Sequence, residues 1–415
     1  MAGRSWARHP GSGIGESTHG RCAPVADRRS EFVVTRKGRT ATVDHADHSN
    51  IKMDTSGKDE HPHPDEPSPI GAAPSGGEDG ADDGFVAVDL YQSEGAGAAE
   101  GEGAGGEAED VGGVTESVRP AWVDDDLFPF ESRFVDIDGH TVHYVDEGSG
   151  PTLLFLHGNP TWSFLWRDVI RALRDDFRCV ALDYPGFGLS TPMPGYRYLP
   201  EEHADVVTGF VDSLGLEGVT LVGQDWGGLI GLAAVQRRPG VFDRLVLADT
   251  WAWPTNGVLH FEYFSRIFGG PPGRFLARHL NFLVNVFIPL GHRRRKPTAA
   301  EMTHYRRAMD TPERRMASAV FPRRVLASRA FFAEVEAGLA DIAHLPTLIV
   351  WGDADIAFRP QERERLEATF PNHKTVIVAG AGTYVESDAP DEFVTAIRDW
   401  TATQRPDTSH RRPPS

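Results

Sequence analysis

An aspartate held on a glycine-flanked turn is the residue of this chain best placed to do chemistry. Leu221-Val222-Gly223-Gln224-Asp225-Trp226-Gly227-Gly228 reads as an apolar strand, a sharp turn and the start of a small-residue helix over residues 227–236. The spacing Gly-x-Asp-x-Gly is that of a nucleophile elbow, where a side chain on either glycine would strike the neighbouring strand or helix. A carboxylate displayed at such a point can attack carbon and leave an ester. The structural alternative is a plain strand-to-helix connection with Asp225 near the helix N-cap.

The elements that must position Asp225 begin near Pro120. Phe134–Gly139 and Thr141–Val145 alternate in polarity around Asp138-Gly139, the pattern of a hairpin of two half-exposed strands. Continuous apolar runs follow at 152–156, 177–182, 219–222, 244–249, 347–351 and 375–379, as expected of buried parallel strands. Helical patterns separate them at about 163–174, 201–214, 361–369 and 390–401. Strand and helix in alternation predict a doubly wound α/β fold with a mostly parallel sheet, eight strands in all. The alternation breaks at Trp251 and resumes near Pro346. The aromatic and basic stretch between reads as several short helices broken at Pro271-Pro272, Pro289 and Pro297, well placed to be a lid over the carboxyl ends of the strands. The expected division is a tail over 1–120, core over 121–250, lid over 251–345, core again over 346–404 and a second tail over 405–415.

The formal charge of −18 over 415 residues falls mostly on residues 41–120, which are rich in Gly, Asp, Glu, Ser and Pro and poor in aromatics. Such a composition cannot bury enough apolar area to offset its ordering entropy, so both tails are expected to be disordered. His45, His48, His61 and His63 lack fixed spacing on a fold, and no metal or cofactor is expected. The acidic balance argues against nucleic acid. Met1–Gly20 has no apolar core of a secretory signal, and the longest apolar run outside the sheet, 281–290, is too short to span a bilayer. Two cysteines, Cys22 and Cys179, fit a reducing compartment, and the chain reads as soluble and cytoplasmic. Cys179 reads as a small buried apolar residue, and Arg293-Arg294-Arg295-Lys296 as a solvated face.

Three motifs together carry a resemblance. His157-Gly158-Asn159-Pro160-Thr161-Trp162, Asp183-Tyr184-Pro185-Gly186-Phe187-Gly188 and Gly223-Gln224-Asp225-Trp226-Gly227-Gly228 resemble a haloalkane dehalogenase of the α/β-hydrolase superfamily over roughly residues 120–404. The resemblance implies an α/β-hydrolase fold with a helical lid and in-line attack by a carboxylate on a halogenated aliphatic carbon. Asp225 matches the nucleophile. The side chains of Asn159 and Trp226 match the halide-binding pair, and their backbone N–H groups match the oxyanion hole. The partners implied are a small apolar, halogenated substrate and a halide ion. The acid that orients the base has two matching positions, Asp355 and Asp249, of which Asp355 is favoured.

The departure is the base. The family pattern places histidine in the loop after the last strand, where this chain has Gly382-Thr383-Tyr384-Val385-Glu386-Ser387-Asp388-Ala389-Pro390. Thr383 stands at the position of the expected histidine, and a hydroxyl without an activating partner does not accept a proton at neutral pH as imidazole does. His373 is expected just before the last strand, at its far end. His260, His279, His292 and His304 fall in the lid, from which one could swing in. The expectation is an enzyme that alkylates Asp225 and is impaired in hydrolysing the ester. The alternatives are a non-catalytic protein that keeps the pocket for a small ligand, or an epoxide hydrolase using Tyr263 and Tyr305 as lid donors.

Overall fold

The computed structural model describes residues 118–404, together with two short strands, Val34–Arg36 and Arg39–Ala41, that pair antiparallel with each other. Apart from that hairpin and residues 118–120, the expected tails over 1–120 and 405–415 lie outside the described residues, as does Cys22.

The core is one eight-stranded sheet. Its strands are β1 (Arg133–Ile137), β2 (His140–Glu147), β3 (Thr152–Leu156), β4 (Arg178–Leu182), β5 (Val219–Gln224), β6 (Phe242–Ala248), β7 (Thr347–Gly352) and β8 (His373–Val378). The spatial order is β8-β7-β6-β5-β3-β4-β2-β1, parallel from β8 to β4 and antiparallel through β2 and β1. Every residue of β3, β5 and β7 is buried. A parallel sheet is covered by crossover helices on both faces, so its inner strands are apolar throughout. Each fully buried Leu or Val side chain there contributes roughly 1.5–3 kcal/mol relative to exposure.

The hairpin of β1 and β2 departs from expectation in one respect. Both strands read as half-exposed; in β2 four residues are buried and four are intermediate, with none fully exposed, because it also pairs with β4 and is interior to the sheet. The helix expected over 163–174 is a 3₁₀ turn, Ser163–Trp166, followed by α1 (Arg167–Leu173). Phe177 ends the connection instead of opening the strand, because its N–H bonds to the Leu173 carbonyl. The crossovers continue with α2 (Pro200–Ser213) and α3 (Trp226–Arg237), which pack on each other.

Between β6 and β7 the chain makes α4 (Leu259–Phe268), α5 (Pro271–Leu280), a π turn over Leu283–Phe287, α6 (Ile288–Gly291), α7 (Ala299–Ala308), α8 (Met316–Ala327) and α9 (Arg329–Ile342). Pro271-Pro272 opens α5, where the missing N–H has no helical partner to lose. Thr298 and Glu301 cap α7 reciprocally. After β7 come α10 (Pro360–Thr369), the single turn α11 (Val385–Asp388) and α12 (Pro390–Thr403), the last packing against α1. His373 is the first residue of β8, not a residue before it, and sits at the amino end of the strand. Among the described residues no helix is long and apolar enough to cross a membrane.

Strand register brings the functional candidates together. Leu156 pairs with Gly223, Gln224 with Ala248, and Ala248 with Val350. Residues 157–159, Asp225, Asp249 and Asp355 therefore all emerge at the carboxyl edge of the sheet, where open α/β sheets build their sites.

Candidate active site

Asp225 sits between β5 and α3 at φ 52° and ψ −126°, outside the regions a non-glycine residue ordinarily adopts. Such strain costs about 1–3 kcal/mol and persists only where the surroundings enforce it. Here the Asp225 N–H donates to the Asp249 carbonyl at 3.1 Å, and Thr250 Oγ1 donates to the Asp225 carbonyl at 2.6 Å. The flanking glycines are required by close approach. A Cβ on Gly223 would lie 2.7 Å from the Gly227 carbonyl oxygen, and one on Gly227 would run into the Leu156 carbonyl.

The carboxylate faces two backbone donors. Asn159 N donates to Asp225 Oδ2 at 2.9 Å, and the Trp226 N–H also bonds to the carboxylate. Burial pushes the Asp225 carboxyl up to about 8. The Asn159 N–H opposes that rise, the Asp355 charge adds to it, and the Trp226 N–H opposes it. The side chains of Asn159 and Trp226 line the same cavity of about 210 Å³ as Asp225. Aromatic residues make much of the remaining wall, including Trp251, Phe261, Phe264, Phe287, Phe358 and Tyr384. Trp226 is fixed edge-on to Trp251 at 4.9 Å and to Phe321 at 4.5 Å.

The loop carrying Asn159 is set by groups whose roles the sequence did not disclose. His157 is fully buried; its Nδ1 lies 2.9 Å from the Gly158 carbonyl, and Nε2 accepts the Tyr184 N–H at 3.3 Å. Burial pulls His157 down to about 4, so it stays neutral and serves as a splice between β3 and β4. Asp183 accepts the Ser163 and Leu189 N–H groups and pairs with His143 Nδ1 at 2.8 Å. Its motif is thus a scaffold for the cavity and not part of its wall.

On the opposite side lie both acid candidates and Thr383. Thr383 lines the cavity, and its Oγ1 donates to Asp355 Oδ1 at 2.5 Å. Gln224, next to the nucleophile candidate, donates through Nε2 to the Thr383 carbonyl at 2.9 Å and holds that loop against the turn. Asp249 is fully buried; its Oδ1 accepts the Gly352 N–H, and its carboxyl hydrogen-bonds to that of Asp355. Asp249 Oδ2 and Asp355 Oδ2 are buried and accept from no N–H or hydroxyl of the protein. Burial pushes Asp355 up to about 6 and Asp249 well above the carboxylate range. Glu386 is also fully buried, neither of its oxygens meets a side-chain or loop donor, and burial pushes it well up.

The histidines are distributed otherwise than a base requires. His260, at the start of α4, is the one histidine lining the cavity among the described residues; its Nε2 lies 3.9 Å from Glu362, and burial pulls it down to about 4. His292 is buried between the Ile288 carbonyl and Ser387 Oγ. His304 stacks on Phe164 and accepts the Asp124 N–H, while His279 is exposed. Neither Tyr263 nor Tyr305 lines the cavity: Tyr263 is exposed on α4, and Tyr305 is buried against Phe164.

The basic run 293–296 is solvated on its side chains, with Arg293, Arg294 and Lys296 exposed, and has a second role that its composition does not suggest. Its backbone wraps a carboxylate: the N–H groups of Arg293, Arg294 and Arg295 donate to Asp388 at 2.7–2.8 Å, and Gly382 N–H adds a fourth bond at 2.8 Å. Burial pushes Asp388 up, but these donors more than offset it and hold the group below its usual range. Arg295 also reaches Glu301, which pairs with the buried Arg167.

Residues 151–385 match the alpha/beta hydrolase fold family. Haloalkane dehalogenase 2 of Mycobacterium tuberculosis is 45% identical over 276 residues, covering 66% of this chain and 96% of that protein. A cis-3-alkyl-4-alkyloxetan-2-one decarboxylase of Shewanella oneidensis is 29% identical, with 66% and 89% covered. Among solved structures, a putative ancestral haloalkane dehalogenase superposes with a TM-score of 0.59 at 31% identity, covering 65% of this chain and 98% of that one. With its sheet order, its strained Asp225 turn and these likenesses, the chain belongs to the α/β-hydrolase fold family and is a relative of the haloalkane dehalogenases.

Proposed function

We propose that this protein is a haloalkane-dehalogenase-type hydrolase that alkylates Asp225 readily and releases the product slowly. The observation that carries this reading is the arrangement of donors at Asp225 within an aromatic cavity. Attack comes from Asp225 Oδ1, which the Asn159 N–H leaves free. The carbon–halogen bond breaks as the carbon–oxygen bond forms. The departing halide is held by the Trp226 indole N–H and the Asn159 side-chain amide, while the surrounding rings keep water from solvating the nucleophile. Oδ2 becomes the ester carbonyl, and the Asn159 and Trp226 N–H groups become its oxyanion hole.

Hydrolysis lacks the usual base in this reading, since Thr383 takes the place expected for histidine and burial leaves the His260 imidazole, on the lid side, a weak proton acceptor. Residues 121–250 and 346–404 serve as the core and 251–345 as the lid in this reading. A cytoplasmic location is part of the same reading and is checked by fractionation.

The direct test is incubation with 1-bromohexane followed by intact-mass analysis and peptide mapping. One hexyl adduct on Asp225, with bromide released near stoichiometry in the first phase, is the expected result. No adduct and no bromide would overturn the reading. That outcome would favour a non-catalytic ligand-binding role, to which the protonated character of Asp225 near neutral pH lends support.

A further inference from the structure

We propose that Thr383 and Asp355 together carry the proton transfer that releases the alkyl ester, with Asp249 holding Asp355 in place. The inference rests on the reading of Asp225 as the nucleophile. A hydroxyl is a poor base alone, but this one is not alone. Its hydrogen is already directed to Asp355 Oδ1 at 2.5 Å, so its lone pairs are turned away from that carboxylate and toward the cavity that Thr383 lines with Asp225. The Gln224 amide pins the Thr383 carbonyl and fixes the loop beside the turn.

Asp355 is built to remain an acceptor. Ala357 N donates to its Oδ1 at 2.7 Å, the Phe358 N–H adds to it, and the Asp249 carboxyl donates from behind. The position of Asp355 above the ordinary carboxylate range makes it a stronger base than an exposed aspartate. Asp249 in turn has no other use for its proton, because its Oδ1 is occupied by Gly352 N–H and its Oδ2 has no protein donor.

The step balances as follows. Water attacks the ester carbon Cγ of Asp225. Its proton passes to Thr383 Oγ1 as the hydrogen of that hydroxyl passes to Asp355 Oδ1. The oxyanion rests on the Asn159 and Trp226 N–H groups. Collapse then breaks the bond from Cγ to the alkyl oxygen, and the proton returns along the same path to the leaving alkoxide. Ester and water become carboxylic acid and alcohol. Thr383 is the residue that meets the water; Asp355 and Asp249 act through it. A general base contributes roughly 10²- to 10⁴-fold, and a relay through a hydroxyl belongs at or below the lower end of that range.

The test follows the decay of the isolated hexyl adduct of the full-length protein by intact mass, in H₂O and D₂O. Expected are a decay about 10- to 100-fold slower in Thr383→Val and in Asp355→Asn, near wild-type decay in Thr383→Ser, and a solvent isotope effect present in wild type and Thr383→Ser but lost in Thr383→Val. Thermal melts show which variants are folded, and Thr383→Ser guards against a packing effect. Equal decay rates in folded wild type and Thr383→Val would overturn the inference alone. An adduct in wild type but none in folded Thr383→Val would also overturn it, by moving Thr383 to the attack. Failure of wild type to form any adduct would remove the reading of Asp225 and this inference with it.

Discussion

The two sides of the cavity are built on different electrostatics. On the side of β3 and β5, a carboxylate meets backbone N–H groups and ring edges, all held by strained or buried backbone. At the ends of β6 and β7 and in the loop after β8, Asp249, Asp355 and Glu386 are buried with a hydroxyl and no cationic side chain among their hydrogen-bond partners. Under the proposed function, the first side stabilises a developing anion. The second is built of buried carboxyls whose hold on a proton is strengthened, with no histidine among their hydrogen-bond partners. A site that is complete for charge separation can therefore be poor at finishing its reaction, because the two tasks draw on different groups.

The strongest way to break this contrast is to remove the nucleophile. Asp225→Ala is expected to lower both adduct formation and bromide release by ~10⁴-fold or more, measured by intact mass and ion chromatography. Next in size is Thr383→His, which supplies an imidazole on the deficient side. Ester decay is expected to rise by about 10²- to 10⁴-fold, so the adduct no longer accumulates. If the folded variant turns over no faster, the second side is not the limiting one. Trp226→Phe attacks the first side instead. Loss of one donor to the leaving halide is expected to slow alkylation by roughly 10²-fold, with a far smaller effect on adduct decay.

Acidity offers a gentler test. Only ionised Asp225 attacks, so the single-turnover alkylation rate is expected to climb as pH rises through about 8 and to level above it. An imidazolium introduced by Thr383→His would move that midpoint down. The smallest expected effect is on stability. Glu386 is raised above its ordinary value of 4.5, so the folded chain holds a proton that the unfolded chain gives up. Its contribution is present below that value and is lost as pH rises toward the folded value, in the same direction as that of Asp249. Glu386→Gln is expected to flatten the fall and to stabilise the protein by about 1–3 kcal/mol at alkaline pH, read from melts across the pH range.

The turn on the first side was legible in the sequence because its constraints are local, whereas Asn159, 66 residues away, entered only through the resemblance. Gly223, Asp225 and Gly227 lie within five residues, and the apolar runs around them announce buried strands. The parallel core and the helical interruption after Ala248 follow from the same short-range periodicity. The second side depends on partners far apart in the chain. Nothing local says that Thr383 meets Asp355, that Gln224 reaches the Thr383 carbonyl, or that Glu386 is buried without a side-chain donor. The basic run hid a second role for a related reason: its composition reports the exposed side chains and says nothing of the backbone N–H groups around Asp388.

That last feature has a mechanical consequence. Four N–H bonds on one buried carboxylate rivet the end of α6 to the loop that carries Thr383. The cover over the cavity is thereby tethered on the Thr383 side, and under the proposed function the motion that admits substrate is expected from the α4 side, where Leu259, Tyr263 and Ile267 are exposed. In native-state hydrogen exchange, the amides of residues 293–295 and 382 should be among the slowest outside the sheet, and those at the start of α4 should be the first to open.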